Sequence, residues 1–191
     1  PREGAYSMDL WTSDENITAF ENEAFADFPK GNYTAVNVSD KNSRMYKMSL
    51  WNGLFGGIRQ CYILLDNIDD VPGMDDSEKQ LYKAESTFLI AYYHFLLLRG
   101  YGHKIIVESL QDVNEANPEN YLGRRPYDEC VYWIANKCDE AIALGLKNSY
   151  EGSSEYGRGT ANADKTLKGR MVLYAETQSD NGGRISETRT N

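Results

Sequence analysis

Residues 81–107, LYKAESTFLIAYYHFLLLRGYGHKIIV, constrain the fold of this chain more than any other stretch. Leu81, Ala84, Phe88, Ala91, Tyr92, Phe95 and Leu98 recur at steps of three and four, which puts them on one face of a helix several turns long. Ser77 and Gln80 have the spacing of a capping box at its start, and Pro72 and Gly73 separate it from what precedes. Gly100 and Gly102 supply residues that turn out of a helix at positive φ, and Ile105, Ile106 and Val107 then favour an extended piece. The unit reads as helix, glycine turn and short strand, and its apolar face has to be covered by further helices.

Those helices are legible on either side. Within residues 43–70, Leu50, Leu54, Ile58, Cys61, Leu65 and Ile68 share a helical face. Gly53, Gly56 and Gly57 interrupt it, each at a cost of up to about 1 kcal/mol against Ala, so close approach of a neighbouring helix is expected there. Pro126 stands where a first helical residue is tolerated, and Val131, Ile134, Cys138, Ala141 and Ile142 carry a third helix to about Leu146. Thr160 or Asn162 caps a fourth, with Ala163, Leu167, Met171 and Tyr174 on one face. Residues 1–42 form an irregular, aromatic-rich segment, residues 43–176 a helical core, and residues 177–191 an irregular tail without apolar periodicity. The expected fold is all-α, with consecutive hairpins stacked as in tetratricopeptide-like arrays, irregular loops and at most a short strand.

A net charge of -9 and a pI near 4.8, with no basic patch, speak against a nucleic-acid partner. No apolar run approaches the roughly 20 residues of a membrane-spanning helix. Catalytic patterns such as GxSxG, HExxH or a Walker loop are missing, and Gly157-Arg158-Gly159 lacks the third glycine of a dinucleotide fingerprint. His94 reads as a packed or solvated helix residue, and His103 sits in a turn with no neighbouring ligand set. Asp139 and Glu140 point about 100° apart on a helix, the wrong geometry for a cooperating acid and base. Cys130 and Cys138, eight residues and about 12 Å apart along one helix, cannot bridge, and with Cys61 they read as small buried apolar residues. No cofactor, metal or enzymatic activity is expected. The 14 tyrosines suit either a protein that handles sugars or a helical-repeat core.

The run Ala84 to Phe95, AESTFLIAYYHF, followed by Arg99, Gly100, Tyr101, Gly102 and Ile105 to Val107, resembles the signature helix of the SusD/RagB family, AEARFLRAYYYF and then YGG-x-PLV. Ile90 stands at a usual Arg, and His103-Lys104 where Gly and Pro are common. Three further stretches resemble that family in the right order. They are LWNGLFGGIRQCYILLDNID, with Trp51 at its tryptophan and Tyr62 at a usual Asn, then PYDECVYWIANKCDEAIALGL, and GRGTANADKTLKGRMVLYAE. The resemblance covers about residues 43–176. It implies a lipid-anchored protein of the outward-facing bacterial outer-membrane surface that captures oligo- or polysaccharides for a SusC-like TonB-dependent transporter. Members are longer and carry an N-terminal lipidated cysteine, so the chain is expected to be a piece covering the N-terminal half.

In that family the ligand groups come from variable loops, so no site residue carries over from the motifs. From composition, the candidates lie in the first segment, with Trp11, Phe20 and Tyr33 as stacking platforms and Arg44 as a polar partner. The commoner role of such aromatics is to anchor an irregular segment by burial. The alternative function is a tetratricopeptide-like adaptor gripping a peptide.

Overall fold

A computed structural model describes residues 30–32, 34, 36, 50–111 and 123–177. The chain divides into two units, 1–53 and 54–191. Of the first, the described residues include a turn at Lys30 and Gly31, where Gly31 takes φ 74°, and the start of the first helix. The expected boundary at 42–43 and residues 178–191 lie outside the described residues.

Helix α1, Trp51–Asn67, buries Leu54, Ile58, Cys61 and Tyr62, and a 3-10 turn at Ile68–Asp70 buries Ile68. Among the described residues, only Gly57 of its three glycines meets a neighbour. A Cβ there would lie 2.8 Å from the Tyr93 ring, whereas at Gly53 and Gly56 it would meet no described residue within 4 Å.

Helix α2, Asp76–Tyr101, is the centre of the described region. Its cap differs from expectation: Asp75 accepts the Ser77 amide at 3.1 Å and also the Ser77 hydroxyl, so Ser77 lies inside the first turn rather than ahead of it. Asp76 and Glu78 add charge that suits the positive end of the helix. The helix runs through Gly100 and stops at Gly102, whose φ of 65° suits glycine and whose amide donates to the Leu98 carbonyl at 3.0 Å. Ala84, Phe88, Ala91, Phe95 and Leu98 are buried as the periodicity predicts, and Ile90, His94 and Leu97 are buried on adjoining faces. Tyr92 departs from the stripe and is 38% exposed at its edge.

The extended piece begins one residue earlier than expected. Strand β1, Lys104–Ile105, pairs antiparallel with β2, Arg124–Arg125, placing Lys104 opposite Arg125 and Ile105 opposite Arg124. Helix α3, Tyr127–Ala143, follows, with Pro126 at φ -50° and ψ 152° as the residue before it rather than its first member. It ends at Ala143, short of Leu146. Gly145, at φ 97°, donates to the Ile142 carbonyl and Leu146 donates to the Ala141 carbonyl, a Schellman closure that stops the helix.

A 3-10 turn at Ser153–Glu155 leads to α4, Ala161–Thr177. Thr160 is the cap, its hydroxyl accepting the Ala163 amide at 3.1 Å. Leu167 and Met171 are buried as predicted, but they share the face with Ala161, Asp164 and Ala175, and Ala163 is exposed. Helix α2 packs on α3 and α3 on α4, so the described core is a helical stack closed by one two-stranded clip. The all-α architecture expected from the sequence is the one observed.

Candidate functional site

Trp11, Phe20, Tyr33 and Arg44 all lie outside the described residues. The described surface offers two open depressions, both drawing on α2.

The first, about 480 Å³, is bounded by Ser77, Gln80 and Tyr82 of α2, by Leu144, Gly145 and Lys147 after α3, and by Glu155 and Arg158. Arg158 is its electrostatic centre. Its Nε and Nη2 donate to the two Glu85 oxygens, each at 2.8 Å, and its Nη1 donates to Glu155 at 3.2 Å. The guanidinium lies 4.9 Å from the Tyr150 ring centre and 5.6 Å from that of Tyr82. The Tyr150 hydroxyl donates to Glu85 as well. The paired Glu85 carboxylate pushes the Arg158 pKa upward, and burial, followed by that carboxylate, pushes the Tyr150 hydroxyl upward. Every charged group of this network is spent on a partner. It ties the loop after α3 to α2 and leaves no group poised for proton transfer.

The second is a groove of about 430 Å³ between α2 and α4. Phe88, Phe95 and Leu167 are its buried floor, with Leu96 half-buried beside them. Tyr92 stands at the lip, its ring stacked on Phe88 at 6.3 Å between centroids with 22° between planes. Asn162 and Thr166 are exposed on the α4 side, and Arg99 and Arg170 are the charged residues of the lining. Phe88 is fixed from below by the approach of Gly159, where a Cβ would come within 2.7 Å of the ring. Sequence periodicity places Tyr92 in the core, whereas its exposure depends on how the helices pack, which the apolar pattern does not carry.

Behind these surfaces lies a buried polar cluster at the clip. His94 is fully buried, stacks on Trp133 at 4.7 Å and accepts the Val107 amide on Nε2 at 3.2 Å. Burial, reinforced by Lys104, pushes it down to about 2, so it stays neutral. Lys104 is also fully buried, with no partner for Nζ among the described residues, and burial brings it down to about 7. Glu108 receives Arg125 on both oxygens and the Trp133 indole at 3.0 Å. Burial pushes the Cys61 thiol up to about 11 and raises those of Cys130 and Cys138. All three cysteines are free and buried, as expected, and they behave as apolar filler. Asp139 and Glu140 face solvent, paired with Lys168 and Lys137. Among the described residues no group of His, Cys, Asp and Glu is arranged to hold a metal ion, and no helix is long and apolar enough to cross a membrane.

Comparison with known proteins supplies what this geometry lacks. A family model described as SusD-like, starch-binding and associating with the outer membrane matches residues 4–172. The chain belongs to the SusD-like family. Its fold agrees with solved SusD-like structures. BT4246 superposes with a TM-score of 0.63 at 37% identity, covering 68% of this chain and 22% of its own. A SusD-like protein from Bacteroides fragilis, BF3747, gives 0.58 at 30% identity, covering 69% and 24%. A laminarin-binding SusD-like protein gives 0.58 at 25% identity, covering 71% and 28%. This SusD-like chain therefore spans about a quarter of the length of the structures it resembles. No curated protein matches it.

Proposed function

We propose that this protein is a non-catalytic glycan-binding protein of the bacterial cell surface. It captures oligo- or polysaccharides and delivers them to a SusC-like TonB-dependent outer-membrane transporter, held at the membrane by a lipid anchor. The observation that carries this reading is the family match over residues 4–172, whose description joins starch binding to the outer membrane. A SusD-like relative named for laminarin binding supports the ligand class. The described titratable groups fit a binding role, since the Glu85–Arg158 and Glu108–Arg125 pairs are committed to structure. Capture follows from stacking of apolar pyranose faces on aromatic rings, with amides and guanidinium groups bonding the hydroxyls. In this reading Trp11, Phe20 and Tyr33 are stacking platforms and Arg44 a polar partner.

Native affinity electrophoresis through gels cast with plant, host and microbial polysaccharides tests it. Retardation by one or two glycans, reduced in Trp11→Ala or Tyr33→Ala variants of unchanged melting temperature, is expected. Passage through every gel without retardation would count against sugar capture. For delivery, co-purification from outer membranes with a TonB-dependent transporter is the expected result, and its absence would leave capture without the transport step.

A further inference from the structure

We propose that the groove between α2 and α4 is a saccharide subsite selective for a uronate-bearing glycan. The inference rests on the glycan-binding reading above and adds a location and a charge to it. Three features of the groove carry it. Its floor is apolar and partly aromatic, and Tyr92, 38% exposed and stacked on Phe88, offers a ring on which a pyranose face packs. Its rim holds Asn162 and Thr166; the Asn162 amide donates to the Asn148 carbonyl at 3.1 Å and the Thr166 hydroxyl to the Asn162 carbonyl at 2.8 Å, which leaves their side-chain oxygens to accept from sugar hydroxyls. Among the described residues its ionic lining is of one sign, since Arg99 and Arg170 contribute and no carboxylate does.

That last feature separates this surface from the other depression. There, Arg158 is saturated by Glu85 and Glu155. In the groove, both arginines are exposed and neither is paired with a carboxylate among the described residues; Arg99 rests near the Phe95 ring at 6.0 Å. In a chain of net charge -9, two unpaired guanidinium groups beside an aromatic platform form a local basic site against the prevailing field. A guanidinium fork matches a planar carboxylate through two parallel N–H bonds, which favours a uronic acid over a neutral hexose. A volume of about 430 Å³ falls within the range of small-ligand sites.

The test is affinity electrophoresis of the purified protein against polygalacturonate and alginate, their carboxyl-reduced neutral counterparts, and carrageenan as a sulfated polymer. We expect retardation by at least one uronate polymer, none by its reduced form, and weaker retention at 300 mM than at 50 mM NaCl. Arg99→Gln combined with Arg170→Gln should weaken that retention about tenfold, with an unchanged melting temperature because both side chains are exposed. Tyr92→Phe should preserve retention and Tyr92→Ala reduce it. Equal retention by the reduced polymer, stronger retention by carrageenan, or full retention by the double variant would each overturn the assignment. Should a neutral glycan be retained equally by wild type and double variant, glycan capture stands and the groove assignment fails. If nothing is retained, both fail.

Discussion

Asp164 is fully buried in the first turns of α4, and among the described residues no nitrogen or oxygen donor reaches its carboxylate, which faces the Cys138 thiol. Burial is the main cause that pushes its pKa from 3.8 up to about 6. The groups facing it are the Cys138 thiol and the Asp139 carboxylate from α3 and Lys168 from its own helix; Asp139 raises the pKa further, while Cys138 and Lys168 oppose the rise. A folded pKa above the unfolded one means that the folded state favours the protonated acid. The stabilisation is complete below about pH 4 and is lost as pH rises through about 6. Asp164→Asn should therefore raise stability near pH 7 by about 1–3 kcal/mol and flatten the dependence between pH 4 and 7, read by urea denaturation across that range. An unchanged pH profile in the variant would show that another group sets it. Lys104 acts in the opposite sense, because its depressed pKa favours the neutral amine and its contribution is lost as pH falls through about 7. Neither residue stood out in the sequence. Lys104 lies just after the glycine turn and Asp164 beside the Ala163 stripe, and periodicity assigns faces only to residues already counted as apolar.

At the scale of the elements, the four helices and the extended piece were legible because each has either a long apolar period or an explicit stop signal. What failed were the ends. Ser77 was a reasonable cap by spacing, but Asp75 offers a carboxylate to the Ser77 amide and so starts the helix sooner. Gly145 stops α3 before Leu146 because its positive φ closes the Schellman bonds, and whether a glycine near a helix end takes that role depends on the turn that follows. The glycines of α1 make the same point. Their shared presence suggested close packing at all three, whereas only Gly57 faces the Tyr93 ring of α2. Gly57→Ala should lower stability by about 1–3 kcal/mol through overpacking, while Gly56→Ala, which meets none of the described residues, should raise it by up to about 1 kcal/mol. Thermal denaturation of the two variants separates these outcomes, and equal shifts would mean that helix propensity rather than packing decides both.

Across the whole molecule, the family was readable from four spaced motifs, and the match over residues 4–172 bears that out. The groove was not readable, since its residues come from two segments about seventy positions apart and include Tyr92, which periodicity counted as core. One property of α2 connects the two depressions. Its 26 residues make a rod of about 39 Å, with Ser77–Tyr82 bordering one hollow and Phe88–Arg99 the other. The stretch between them, Ala84 to Phe88, is largely buried, so the rod has no flexible joint in the middle. An occupant of the groove holds that rod in its helical state and makes local opening rarer along its full length. Backbone amide protons near Tyr82, remote from the groove, should then exchange with deuterium more slowly when a saccharide is seated against Tyr92.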